Sequence, residues 1–309
     1  MQKIKAWIET LGYKNYELDV VCADASFRSY YRLFVNEESF IVMDSSLDKE
    51  SIYPFIDISV RLLKAQVEVP RILAQNLSEG FLLLSDLGTQ HLADVLSPLS
   101  VELLYMKGVA EIVKMQTIPT TGLDIYDKEF VLSEMDLMKE WYLTQHLNRE
   151  LSQEEEKTLS ESLELIANEV LSQPQALFVH RDFHSRNIMI ENGKLKLIDY
   201  QDAKSGALTY DLVSLLKDVY VQFDRETMER VALEFKMLKN LKVSDAQFLK
   251  WYDFTGLQRH IKILGIFSRL NIRDGKSAYL NDIPLTLQYI DEVCSQYDAL
   301  KPLGKLLKN

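Results

Sequence analysis

One stretch of the sequence, residues 178–211, constrains the fold most, because it gathers three oxygen-bearing side chains around one predicted hairpin. An apolar pair leads into an HRD sequence that ends at Asp182, and Asn187 follows five positions later. Two apolar runs joined by Asn192-Gly193, a pair typical of tight hairpin turns, then end on Asp199. The pattern therefore predicts that these side chains meet at one end of a short hairpin.

This set of side chains matches the requirements of phosphoryl transfer. An aspartate can accept the proton of an attacking hydroxyl, while an asparagine and a second aspartate can hold Mg²⁺ on the phosphates of a nucleotide. We therefore predict Asp182 as the catalytic base and Asn187 and Asp199 as magnesium ligands, with ATP as the phosphoryl donor. The alternative is that all three are ordinary turn, cap or loop residues.

The same stretch resembles the aminoglycoside phosphotransferase and choline kinase superfamily, in which H-x-D-x-x-x-x-N precedes a strand that ends in I-D. Longer segments are similar to the bacterial N-acetylmuramate/N-acetylglucosamine anomeric kinases of cell-wall recycling. These segments read ADASFRSYYRL, HRDFHSRN, IDYQDAKSGALTYDLVSLLKD and GLQRHIKILGIFSRLNIRDGK. The resemblance therefore extends over most of the chain.

The resemblance implies an α+β, bilobal protein-kinase-like fold. Residues 1–87 would form a small N-terminal lobe with an antiparallel sheet that binds the nucleotide. Residues 88–309 would form a larger, mostly helical lobe for catalysis and substrate binding. The implied reaction is ATP-dependent phosphorylation of the anomeric hydroxyl of an amino sugar in peptidoglycan recycling.

Nucleotide contacts are expected at two places in the first lobe. Strands predicted over 17–23 and 30–35 flank a loop whose backbone N–H groups would cover the phosphates, although an ordinary hairpin turn is the alternative. Farther along, the resemblance places a hinge whose backbone would hydrogen-bond adenine. The residues expected to contact the nucleotide are Ser26, Phe27, Arg28, Ser85 and Leu87.

The next predicted strand, residues 39–44, departs from the general kinase pattern. It ends in Met43-Asp44, where a kinase would carry a phosphate-binding lysine. We expect Arg28 to replace that lysine, or else backbone donors and the metal to suffice. Arg28 and Arg32 would share one face of a strand, and one of them could reach phosphate while the other is solvated.

Acceptor binding is expected near the predicted base. His184 lies where protein kinases that act on serine or threonine usually have lysine, which favours a small-molecule acceptor. Gln201 and Asp202 could line the sugar site, although Asp202 could equally close a turn. His180 is predicted to hold the loop in shape, and Asp211 to cap the following helix and hydrogen-bond back to the loop.

A basic block over residues 256–276 has four more positive than negative charges, in a chain whose net charge is −11. The block could present cations to a phosphate or to a sugar carboxylate, with Arg259 as the predicted contact. Alternatively, it is a helix whose basic face pairs with acidic neighbours. Helical spacing allows at most two of Arg259, Lys262 and Arg269 to reach one ligand.

Helical periodicity predicts helices over residues 50–66, 102–116, 128–146 and 154–171. The apolar stripe of the first includes Val60 and Leu63, and that of the second includes Leu103. Each stripe is expected to face a core.

Composition excludes several classes of protein. The acidic net charge argues against nucleic acid as a partner, and no apolar run is long enough for a signal peptide or a membrane span. Two cysteines without metal-ligand spacing indicate a reducing cytoplasm. ATP and a small sugar are the predicted partners, with no protein partner. The remaining alternatives are a kinase for an aminoglycoside or an amino alcohol, and a non-catalytic nucleotide-binding module.

Overall fold

The structure, a computed structural model, describes residues 1–23 and 28–308, and the side chains of all of these except Cys22 and Ala23. The predicted nucleotide contacts Ser26 and Phe27 lie outside the described residues. The chain forms two compact units. The first unit consists of Met1–Leu92 and Asn187–Asp202, and the second of Ala93–Arg186 and Ala203–Asn309.

Strands and helices alternate in the first third of the chain, and helices dominate afterwards. The strands are β1 (Glu17–Ala23), β2 (Ser29–Val35), β3 (Glu38–Asp44), β4 (Ile72–Asn76), β5 (Phe81–Ser85), β6 (Leu177–Val179), β7 (Ile188–Glu191), β8 (Lys194–Leu197) and β9 (Lys204–Gly206). The helices are α1 (Gln2–Thr10), α2 (Ile52–Lys64), α3 (Val101–Met115), α4 (Lys128–Leu137), α5 (Gln153–Ser172), α6 (Tyr210–Leu216), α7 (Arg225–Leu238), α8 (Asp245–Asp274), α9 (Ile283–Gln296) and α10 (Lys301–Lys308). This arrangement confirms the predicted α+β class.

The first unit is built on a five-stranded antiparallel sheet in the order β1-β2-β3-β5-β4. Helix α1 covers this sheet because its apolar residues recur at helical spacing, and Ile4 and Ile8 pack into a cluster with Val42 and Phe81. The strands predicted over 17–23, 30–35 and 39–44 are confirmed to within one residue.

The predicted apolar stripe of α2 is wrong in part. Val60 and Leu63 are exposed, and the buried positions include Ile58 and Leu62 instead. Most residues of this helix are apolar, so their spacing is compatible with either of two neighbouring buried faces. Packing within the first unit decides which of the two faces is buried. Leu103 of α3 is exposed for a similar reason, since Tyr105 and Ile112 supply the buried face.

The predicted hairpin is confirmed as β7 and β8, paired from Ile188 with Leu197 to Glu191 with Lys194. Asn192 and Gly193 both have positive φ, 52° and 73°, as the turn type favoured by this dipeptide requires. The hairpin belongs to the first unit, where the Leu197 N–H donates to the Glu68 carbonyl at 2.8 Å and the Ile190 N–H to the Gln90 carbonyl at 3.0 Å.

The second unit is organised around α8, a helix of 30 residues. Its apolar side chains join a cluster with residues from α4, α5 and α9, and many of its polar residues are buried as well. The predicted helices over 102–116, 128–146 and 154–171 are confirmed, the second continuing from α4 as a π-helical segment over Met138–His146. Within the described chain, no helix, α8 included, combines the length and apolar character of a membrane span.

Candidate active site

The loop that carries Asp182 is held at its start by Asp211, a buried residue in the first turn of α6. The two carboxylate oxygens of Asp211 accept hydrogen bonds from the backbone N–H groups of His180, at 2.8 Å, and Arg181, at 3.0 Å. The expected bonds back to the loop are therefore present. Asp211 does not cap α6 as expected, because Thr209 occupies the N-cap position and the Asp211 carboxylate binds the loop. Burial raises the pKa of Asp211 to about 6.

The end of the same loop is held by Asp218, which is not among the site residues predicted from the sequence. One oxygen of this fully buried carboxylate accepts from both the backbone N–H and the hydroxyl of Ser185, at 2.8 and 2.5 Å. The other oxygen accepts from the Tyr220 N–H at 3.0 Å. Asp218 lies two residues beyond Leu216, the last residue of α6, so helical spacing from Asp211 gives no signal that could have identified it.

Asp182 follows Arg181, a residue with φ of +78°, a conformation that costs free energy for a residue with a side chain. Asp182 itself is partly exposed. Burial opposes its ionisation, but Lys262, His184, Arg259 and Arg181 together lower the pKa of Asp182 to about 2. The carboxylate is therefore ionised at neutral pH and able to accept a proton.

A buried glutamate on α4, also not singled out from the sequence, binds two of the cations that act on Asp182. Glu134 Oε1 lies 2.6 Å from Arg181 Nη2 and 2.9 Å from Lys262 Nζ, and Oε2 accepts from Tyr126. Burial alone would raise the pKa of Glu134, yet the two cations hold it below its usual range. Glu134 therefore ties the HRD loop and α8 together by charge-assisted hydrogen bonds.

The basic block divides into two parts along α8. Arg259 and Lys262 are buried, whereas Arg273 lies at the exposed end of the helix and pairs with Asp274 at 2.7 Å. The interpretation as paired charges therefore applies to Lys262 and Arg273, while contact of Arg259 with a phosphate or a sugar carboxylate stays a prediction. The exposed end has the ion pair of an ordinary helix surface, and the buried part brings positive charge close to Asp182.

The two histidines of the loop occupy different surroundings. His180 is buried with its ring 5.9 Å from that of Phe183, consistent with a residue that shapes the loop. His184 is partly exposed and meets the Tyr220 ring edge-on at 5.1 Å. Burial lowers the pKa of His184 to about 4, so this side chain is neutral at neutral pH.

The first unit brings together the two predicted magnesium ligands. Asn187 Nδ2 lies 3.3 Å from Asp199 Oδ2, and the Ile198 N–H donates to the Asn187 carbonyl at 3.1 Å. Gln201 joins this cluster by donating to Asp199 Oδ1 at 2.7 Å and to Asp202 Oδ2 at 3.2 Å. Gln201 thus orients the Asp199 carboxylate, while sugar binding by Gln201 and Asp202 stays a prediction.

This cluster fits Mg²⁺ in its donor chemistry. Asn187 and Asp199 supply amide and carboxylate oxygens, and Asp199 is exposed. No group of three or more histidine, cysteine, aspartate or glutamate residues in the described part of the chain is arranged to hold a metal. Mg²⁺ commonly uses only one or two carboxylates, together with waters and substrate phosphates, and so does not require such a group.

Of the residues predicted to contact the nucleotide, Arg28 and Ser85 form hydrogen bonds with other residues of the first unit. Arg28 is nearly buried and donates to the Ser51 carbonyl at 3.2 Å. The Ser85 N–H donates to the Arg71 carbonyl at 2.9 Å, so in this structure that donor is used by the protein itself. Leu87 is buried. The nucleotide contacts of these residues stay predictions.

Arg32, which lies on β2, is not simply solvated. Its Nε and Nη2 donate to the two oxygens of Asp86 at 2.7 and 3.2 Å, and Nη2 also donates to the Gly88 carbonyl at 2.8 Å. This bidentate pair ties the strand to the segment at which the hinge is predicted. The end of β3 offers no cation, since Met43 is buried and Asp44 accepts from the Ser46 N–H.

Comparison with known proteins supports the same chemistry. Residues 19–243 match the family described as "Phosphotransferase enzyme family". A protein named N-acetylmuramate/N-acetylglucosamine kinase from Neisseria meningitidis is 35% identical, over 99% of this chain and 94% of its own length. A protein of the same name from Pseudomonas aeruginosa is 38% identical, over 94% of this chain and 88% of its own length.

Solved structures agree on the fold. The gentamicin complex of APH(2")-IIa superposes with a TM-score of 0.66 at 15% identity, covering 93% of this chain and 95% of that one. ADP-bound aminoglycoside phosphotransferase APH(2'')-Ib gives a TM-score of 0.62 at 16% identity, covering 94% and 98%. The chain therefore has the protein-kinase-like fold of these enzymes, and it belongs to the phosphotransferase enzyme family.

Proposed function

We propose that this protein is an ATP-dependent kinase that phosphorylates the anomeric hydroxyl of N-acetylmuramate or N-acetylglucosamine to give the sugar 1-phosphate, in the cytoplasmic recycling of peptidoglycan. The observation that carries the proposal is the loop of Asp182, which the buried carboxylates of Asp211 and Asp218 hold by hydrogen bonds at its two ends. The names of the relatives support the choice of sugar.

In the proposed reaction, Asp182 accepts the proton of the anomeric hydroxyl while the hydroxyl oxygen attacks the terminal phosphorus of ATP. The bond from that phosphorus to the bridging oxygen breaks, and ADP leaves. An anomeric hydroxyl is more acidic than other sugar hydroxyls, so a carboxylate of low pKa suffices when it is well positioned. Asn187 and Asp199 would hold Mg²⁺, which offsets the negative charge of the phosphates.

The remaining roles extend this proposal. Nucleotide binding would fall to residues 1–87, with Ser85 and Leu87 at the hinge and Arg28 in place of the missing strand lysine. Catalysis and acceptor binding would fall to residues 88–309. The His184 imidazole, neutral at neutral pH, would contact the sugar as a hydrogen-bonding group without adding charge.

The charges around Asp182 favour this acceptor over an aminoglycoside. Lys262, Arg259 and Arg181 all act on Asp182, and a polycationic acceptor would meet their repulsion. The test is release of ADP from MgATP with N-acetylmuramate, N-acetylglucosamine, an aminoglycoside and choline as acceptors. We expect turnover with the amino sugars alone, and turnover with only the aminoglycoside or choline would overturn the proposal.

Replacing Asp199 by alanine should weaken magnesium-dependent nucleotide binding, because the substitution removes a carboxylate from the predicted metal site. We expect kcat/KM to fall about 100-fold or more, as several kcal/mol of charge stabilisation are lost. Calorimetric titration with ATP, with and without Mg²⁺, provides a readout besides activity. Asp57→Ala is the matched control, since Asp57 is an aspartate of the same unit that makes an exposed ion pair with Arg61. Unchanged magnesium dependence in Asp199→Ala would contradict the assignment.

The pH profile of kcat/KM should show no acidic limb from Asp182 or His184 between about pH 5 and pH 8. The lowered pKa values, about 2 for Asp182 and about 4 for His184, keep the first ionised and the second neutral throughout this range. Initial rates at constant MgATP measure the profile. A limb in this range that disappears in His184→Gln would show that His184 titrates at a higher pH than expected.

A further inference from the structure

Arg259 is a buried cation to which the proposed reaction assigns no role. It lies on α8, and only 4% of its surface is exposed. Its Nη1 is buried and has no hydrogen-bond partner among the described residues. A buried, charged donor without a partner is costly, and native structures almost always supply one. We therefore expect a ligand to supply the hydrogen-bond acceptor for Arg259 Nη1 that the described residues do not supply.

The other two cations near Asp182 are each paired with a carboxylate of the protein. Arg181 and Lys262 both donate to Glu134, and Lys262 also lies 3.2 Å from the Tyr210 hydroxyl. That one carboxylate offsets part of their charge. Arg259 is one turn from Lys262 on the same helix, and its charge acts on both Asp182 and His184. An anionic ligand beside Asp182 would thus find in Arg259 an available charged donor.

The sugar that accepts the phosphoryl group is a better source of that anion than ATP. Arg259 belongs to the same unit as Asp182, the predicted base that receives the acceptor hydroxyl. Asn187, Asp199 and the strands expected to contact ATP belong to the other unit. N-acetylmuramate carries a carboxylate that N-acetylglucosamine lacks. The name shared by the relatives therefore lists one anionic and one neutral sugar.

We propose that Arg259 binds the carboxylate of N-acetylmuramate and sets the preference of the enzyme for this acidic sugar over N-acetylglucosamine. The inference rests on the proposed function. A guanidinium pairs with a carboxylate through short, charge-assisted hydrogen bonds, and the neutral sugar leaves these donors unpaired. The preference should amount to about tenfold to 100-fold, as for other charge-assisted hydrogen bonds in buried sites.

The test compares kcat/KM for the two sugars in wild-type protein, Arg259→Gln and Arg273→Gln. In Arg259→Gln we expect the ratio of N-acetylmuramate to N-acetylglucosamine to fall at least about tenfold, chiefly through KM for the acidic sugar. Arg273→Gln removes the same charge from the exposed end of α8 and should keep the wild-type ratio. Equal losses for both sugars in Arg259→Gln, or no change in the ratio, would overturn the inference.

A measurement on wild-type protein keeps the inference testable if Arg259→Gln does not fold. The methyl ester of N-acetylmuramate has nearly the shape of the acid without its charge, so its KM should be at least about tenfold higher. Equal KM values for acid and ester would overturn the role of Arg259 while leaving the proposed function intact. Absence of turnover with every amino sugar would instead overturn both.

Discussion

Replacing Asp182 by asparagine should lower kcat by about 100-fold to 10,000-fold while ATP still binds, because a positioned general base contributes this much. The amide keeps the shape of the side chain but cannot accept the proton of the attacking hydroxyl. Single-turnover kinetics measures the loss, and calorimetric titration measures nucleotide affinity.

Asp136→Asn is the matched control for this prediction, since Asp136 is an exposed aspartate on α4 in the same unit. It should keep the wild-type rate. Near wild-type turnover in Asp182→Asn would contradict the assignment of Asp182 as the catalytic base. Loss of ATP binding together with turnover would assign the residue to nucleotide binding instead.

Replacing Asp253 by alanine should lower the free energy of unfolding by about 3 to 5 kcal/mol, the usual cost of removing one partner from a buried ion pair. Asp253 is 0% exposed and accepts from Lys217 Nζ at 2.6 Å, Arg225 Nη2 at 2.9 Å and the Tyr297 hydroxyl at 2.9 Å. These donors come from three separate parts of the second unit, and Asp253 itself lies on α8. Without the carboxylate, the buried Lys217 ammonium loses its partner.

Denaturant unfolding measures this loss, with Glu161→Ala as the control. Glu161 pairs with Lys157 at 3.8 Å on the exposed face of α5, and such pairs contribute about 1 kcal/mol or less. A loss for Asp253→Ala no larger than that of the control would contradict a stabilising role. Substitution of Lys217 by methionine in the same chain should recover part of the lost stability, because it removes the stranded charge.

Local patterns in the sequence were sufficient to predict the strands and the hairpin. The turn dipeptide Asn192-Gly193 and the apolar runs around it determine β7 and β8 without help from distant residues. The family-like spacing of Asp182 and Asn187 likewise identified the loop. These features depend on neighbours in the chain, which a single sequence displays directly.

Residues that act through tertiary contacts could not be found in the same way. Glu134 is 47 residues from Arg181, and Asp218 is 33 residues from Ser185, so nothing in the local sequence links these partners. The buried face of α2 was missed at Val60 because apolar residues there fit two faces. The sequence of the basic block likewise does not show which of its cations are buried. The structure shows that Arg259 is buried and Arg273 is exposed.

The most direct test of the central claim is the ³¹P and ¹H NMR spectrum of the product that the wild-type protein forms from MgATP and N-acetylmuramate or N-acetylglucosamine. We predict a phosphorus signal coupled to the anomeric proton, and no product from sugars blocked as 1-O-methyl glycosides. A phosphate ester at another hydroxyl, or turnover of the blocked glycosides, would contradict the proposed transfer to the anomeric oxygen.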